Sequence, residues 1–113
     1  MVNNWNKRTP DNFKFAVKFP KVITNDKRLK DIDKDIERFY DAMEPLYDKI
    51  LVYLLQLPPS LQIAEGLDLI KSLEYTLDPS FRYAIEVRHH TWFNELFYNY
   101  LKEKNYCLVW SQQ

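Results

Sequence analysis

The sequence predicts an α/β protein: a parallel βαβαβαβ sheet whose strands alternate with amphipathic helices. Three observations carry that prediction. Residues 13–20, FKFAVKFP, set Phe13, Phe15, Val17 and Phe19 against Lys14, Ala16 and Lys18, the period of two of a strand with unlike faces. Leu29, Ile32, Ile36, Phe39, Met43, Leu46 and Ile50 recur at steps of three and four, which makes one helical stripe. Residues 49–60, KILVYLLQLPPS, are almost continuously apolar, as in a strand buried on both faces. Parallel neighbours need a connection long enough to return along one face of the sheet, and helical segments between the strands supply it.

Taken in order, Pro20 closes the first strand, and Asn25 or Asp26 is placed to cap the helix that follows. Pro45 should distort or end that helix, because proline lacks the amide donor and clashes with the preceding turn. Pro58 and Pro59 bound the second strand. Ile63, Leu67, Ile70, Leu73 and Leu77 give a second helical stripe, and DPS at 78–80 is a turn that stops it. Strand FRYAIEV, 81–87, follows. Thr91 is placed to cap a third helix carrying Trp92, Leu96, Phe97, Tyr100 and Leu101, and YCLVW at 106–110 makes the last strand.

Composition narrows the function classes. With 113 residues, 46% hydrophobic and 28% charged, the chain reads as one globular domain, 1–113, with enough apolar surface to offset ordering entropy. Sixteen basic residues balance sixteen acidic ones, so no long-range positive field draws it to nucleic acid or to an anionic membrane. Lys27, Arg28, Lys30 and Lys34 interleave with Asp26, Asp31, Asp33 and Asp35, as on a solvated helix face. Cys107 stands alone, which excludes an internal disulfide and fits a reducing compartment; the cytoplasm is the expected location. The apolar run 50–59 is far short of the roughly 20 residues that span a bilayer, and residues 1–13 lack the apolar core of a secretory signal. Gly66 is the only glycine, so glycine-rich phosphate loops are excluded, and the sequence names no cofactor.

Three motifs, W..RTPDNFKFAVKFPKVIT, LLQLPPS and AIEVRHHTWF, in this order and spacing, resemble the YecE-like family, domain of unknown function 72. The resemblance spans nearly the whole chain. It implies a TIM-type (β/α)8 barrel with no established biochemical activity. Such barrels take about 250 residues, so this chain is expected to correspond to about half of one, lacking two strands before its first and continuing strands after its last. Asn25 stands where the family often carries a histidine after the Ile-Thr pair, while Thr24 is retained.

In a barrel every second strand residue points inward, and sites collect at the carboxyl ends of the strands. Parity puts Ala16 with Lys18, Val52 and Leu54 with Gln56, and Ala84 with Glu86 and Arg88, so four polar side chains from three strand ends are expected to converge. Glu86 and His89 are the candidate catalytic residues, an acid and an imidazole able to move a proton. Lys18, Gln56, Arg88 and Trp92 are the candidate substrate-binding residues, the two cations suited to a carboxylate, phosphate or enolate oxygen. The same charges equally describe a structural ion-pair network in a non-catalytic scaffold or ligand-binding protein. His89 and His90 beside Glu86 suggest a metal, but adjacent residues diverge and no third histidine exists, so no metal site is expected. Trp92 and Phe93 can wall a ligand pocket, although such aromatics, like Trp5 and Trp110, more often belong to a core. The expected partner is an unidentified small molecule, with self-association through the sheet edges at 13–19 and 106–111.

Overall fold

A computed structural model describes residues 14–110. Phe13, Trp5 and the start of the first motif lie outside these residues, as does residue 111. Four strands, β1 (Phe15–Lys18), β2 (Ile50–Gln56), β3 (Tyr83–Val87) and β4 (Cys107–Trp110), form one sheet in the order β1-β2-β3-β4. Every neighbouring pair is parallel. Helices α1 (Asp33–Met43), α2 (Ile63–Ser72) and α3 (Glu95–Lys104) connect them. The protein is α/β, as its alternating periods predict. A doubly wound sheet reverses its strand order at a switch point; this sheet does not reverse, which is the order of consecutive strands along the wall of a (β/α)8 barrel.

On β2 the two faces separate by parity, while all five residues of β3 are buried and the four of β4 exposed. Tyr53, Leu55 and Leu57 on one side of β2 are buried, whereas Val52, Leu54 and Gln56 on the other are only partly so. The buried face joins Phe19, Tyr83, Ile85 and Val87 to Ile36 and Phe39 of α1, Ile70 of α2 and Phe97 and Leu101 of α3 in one core. Each such side chain contributes about 1.5–3 kcal/mol on leaving water.

Two helix starts differ from the sequence expectation. Neither Asn25 nor Asp26 caps α1; Val22–Asp26 form a wide helical turn, and the helix begins at Asp33 after a loop in which Arg28, Leu29 and Asp31 take φ of 48°, 67° and 52°. Leu29 and Ile32 still reach the core, each 2% exposed, but from the loop, so burial and not helical geometry explains the first two members of the stripe. Asp33 and Asp35 in the first turn complement the helix dipole instead. Thr91 does not cap α3 either. It sits in a short 3-10 turn, His90–Trp92, and the α3 cap is Asn94, whose side chain accepts from Leu96 N at 2.8 Å.

Other stops follow their chemistry. α1 ends at Met43, and a 3-10 segment containing Pro45 leads into β2. The DPS turn is held by Asp78 Oδ1, which accepts from Ser80 N and Ser80 Oγ at 2.9 and 2.7 Å. Beneath the sheet, Tyr83 donates to the Asp78 carbonyl at 2.7 Å and Asp78 N donates to Tyr40 Oη at 3.2 Å, so Tyr40 is the donor in its 2.6 Å bond to Tyr83.

Candidate functional site

The half-open face of the sheet carries small or apolar residues low down and polar ones at the carboxyl ends: Ala16 then Lys18, Leu54 then Gln56, Ala84 then Glu86. Gln56 and Glu86 stand opposite each other in the β2–β3 register, and Lys18 stands opposite Leu54. Lys18 Nζ donates to Gln56 Oε1 at 3.4 Å, Gln56 Nε2 donates to Glu86 Oε2 at 2.9 Å, and Arg88 Nε lies 3.5 Å from the same oxygen. The last contact is an ion pair without hydrogen-bond alignment. One amide therefore links a cation on β1 to an acid on β3, and its two ends fix its orientation.

The electrostatics are graded. The Glu86 side chain is 10% exposed and that of Arg88 22%, while Lys18 is open to solvent. Gln56 and Arg88 both meet the carboxylate at Oε2, and Oε1 has no hydrogen-bond partner among the described residues. Such an oxygen can exchange a proton with a bound molecule while its twin is held in place.

The loops above these strand ends are laced together. Arg28 donates from Nη1 to Ser60 Oγ at 2.8 Å and from Nη2 to Glu65 Oε1 at 3.3 Å, and Lys30 lies 3.9 Å from Glu65 Oε2. Thr91 Oγ1 accepts from Ile63 N at 3.0 Å, and Trp92 Nε1 donates to the Leu61 carbonyl at 2.8 Å. These bonds tie the loops after β1 and β3 to the one after β2 and the start of α2. Sequence reasoning missed the Arg28–Ser60 clasp, whose partners lie 32 positions apart and share no local pattern.

Of the predicted site residues, Lys18, Gln56, Glu86 and Arg88 are brought together. Trp92 is not with them: it is fully buried, its ring packs against Phe97 and over Gly66, and its indole N–H is spent on Leu61. His89 follows Arg88 but turns toward Thr91, with Nδ1 3.0 Å from Thr91 Oγ1 and its ring stacked on His90 at 4.6 Å. Thr24 is buried and donates to Asn25 Oδ1 at 2.8 Å. Among the described residues no three His, Cys, Asp or Glu side chains gather as a metal would require. Two open clefts, of about 420 and 510 Å³, lie by the amino ends of the strands around Phe81 and Arg82, and neither includes Lys18, Gln56, Glu86 or Arg88.

Residues 1–113 match the family model described as "Protein of unknown function DUF72". The chain belongs to this family. Over 93 residues it is 36% identical to UPF0759 protein YecE of Escherichia coli strain K12 and equally to that of strain O157:H7, covering 82% of this chain and 34% of theirs. It thus spans about a third of the length of the curated relatives it matches. A DUF72 family protein from Thermotoga maritima superposes with TM-score 0.79 at 28% identity, covering 90% of this chain and 40% of that one. One from Enterococcus faecalis gives TM-score 0.79 at 23% identity, over 95% and 42% of the two chains, and bears on the fold alone. Among the described residues of this DUF72 chain, no helix is long and apolar enough to cross a membrane.

Proposed function

We propose that this DUF72 chain carries part of an enzyme site at the carboxyl ends of its strands, acting by acid/base chemistry on a small polar or anionic molecule. Glu86 is the proton-transferring group, Lys18 and Arg88 hold the anionic oxygens, and Gln56 keeps the acid and the β1 cation at fixed separation. The observation that carries this reading is the unbroken contact chain Lys18–Gln56–Glu86–Arg88 over three strand ends, with Glu86 Oε1 unengaged among the described residues. Charge balance over the chain favours a small ligand over nucleic acid.

A second reading has its own observation. Glu86 Oε2 takes a hydrogen bond from Gln56 and faces the Arg88 charge at once, the charge pairing that a structural network in a non-catalytic scaffold needs. Titration with inorganic phosphate and with a small dicarboxylate, followed by amide and side-chain NMR shifts, separates the two. Saturable shifts at Lys18, Gln56 and Arg88 that vanish in Arg88→Met support the site; no shift there at millimolar ligand sinks it.

The sheet edges add a partner proposal. Among the described residues β1 and β4 each pair with one strand, and Leu108, Val109 and Trp110 of β4 are 37%, 37% and 40% exposed. An apolar strand with unpaired backbone groups is a template for another strand, and self-association through these edges is the expected consequence.

A further inference from the structure

We infer that Thr91 is a positioning residue that locks the His89 imidazole as its Nε2–H tautomer, so that the outward ring nitrogen is a hydrogen-bond donor and not a base. The assignment follows from counting donors. Thr91 N donates to His89 Nδ1 at 3.2 Å, and this needs a lone pair on Nδ1. The same nitrogen lies 3.0 Å from Thr91 Oγ1. With no proton on Nδ1, the hydroxyl must be the donor in that second contact, and the ring proton is left on Nε2.

The hydroxyl is itself fixed from its other side. Thr91 Oγ1 accepts from Ile63 N, the first amide of α2, one of the donors a helix start leaves without an internal partner. Gln62 at the cap position makes no side-chain capping bond, so a threonine from the loop after β3 does that work for a helix 28 positions away. Accepting from the helix amide aims and polarises the hydroxyl toward Nδ1, and each bond in such a chain strengthens the next. Stacking on His90 at an interplanar angle of 25° restrains the ring plane. Among the described residues Nε2 has no hydrogen-bond partner, which leaves it as the ring's polar contact with solvent or ligand.

The consequence rests on the acid/base reading above: Glu86 keeps the base role, and the His89 ring brings a donor, not a second base, to the chain just after β3. The tautomer assignment needs no substrate, so it fails or stands separately. The chain has two histidines, so ring-¹⁵N-labelled histidine gives two spin systems, assigned with His90→Gln. At a pH of about 8, where an ordinary imidazole is neutral, wild type is expected to show His89 with Nδ1 in the far-downfield unprotonated position and no detectable Nδ1–H form. Thr91→Ser should preserve that spectrum. Thr91→Val removes the hydroxyl donor and keeps the residue-91 amide, so Nδ1 should stay in the unprotonated range but change its shift as one of its two hydrogen bonds is lost. A protonated Nδ1 in wild type, or an unmoved Nδ1 in Thr91→Val, overturns the inference. The wild-type spectrum decides by itself should the valine variant fail to fold, and a fall in thermal midpoint alone, expected from the lost helix cap, counts on neither side.

Discussion

Gln56 Nε2 donates to Glu86 Oε2 at 2.9 Å from the position directly opposite it in the β2–β3 pairing, while Gln56 Oε1 accepts from Lys18 on β1. Among the described residues the amide is thus the one contact joining β1's charge to β3's. Gln56→Leu keeps the volume and removes both bonds, leaving a largely buried carboxylate short of a donor. We expect a loss of about 1–3 kcal/mol in urea unfolding, the cost of stranding such an acceptor. No change would mean that the bond is idle.

Glu86→Gln asks what the acid is for. Lys18 is exposed and Arg88 is 22% exposed, so both cations keep water when the carboxylate is gone. The expected cost is within about 1 kcal/mol, as for partly solvated pairs. A loss of about 3–5 kcal/mol, typical of an orphaned buried charge, would favour the structural network over the enzyme site.

Gly66 is required by a neighbour. A Cβ built there would stand 2.5 Å from Trp92 Cζ2 and 2.7 Å from Cη2, and the indole cannot retreat without breaking its bond to Leu61. Alanine gains about 1 kcal/mol of helix propensity over glycine, against about 1–3 kcal/mol for overpacking a core. Gly66→Ala should therefore be net destabilising in thermal unfolding, with a shift in tryptophan emission. A stabilised variant would contradict the packing described.

Alkaline pH should unfold the protein through its tyrosines. Burial pushes the hydroxyls of Tyr40, Tyr53, Tyr83 and Tyr100 above their ordinary range. A raised folded-state value means that the native chain holds its protons more tightly. Stability is then complete below the unfolded-state value of about 10 and falls as pH rises above it. Thermal midpoints should decline steeply from about pH 10 upward, with tyrosinate absorbance appearing together with unfolding. Tyrosinate formed gradually by a folded chain would contradict this.

Edge pairing predicts concentration-dependent size. The 13.8 kDa chain should elute above its own mass at tens of micromolar, and Val109→Lys, which puts a charge on an edge strand, should return it toward monomer. Compact monomer behaviour of the parent chain at every concentration would retire the proposal.

The periods of two and of three to four in the sequence determined the α/β class, the element order and the side of each strand on which Lys18, Gln56, Glu86 and Arg88 lie, because side-chain direction is fixed by the local backbone repeat. Residue type and spacing also marked Pro45 and the DPS turn as stops. Tertiary structure alone decided the rest. Leu29 and Ile32 obey a helical spacing yet reach the core from a loop, because burial rewards an apolar side chain whatever backbone delivers it. Thr91 has the chemistry of a cap but serves α2 instead of α3, and Trp92 fills the space over Gly66 instead of lining the rim. A hydroxyl or an indole records in the chain which bonds it can make; which distant partner comes within 3 Å is set by the packing of whole elements.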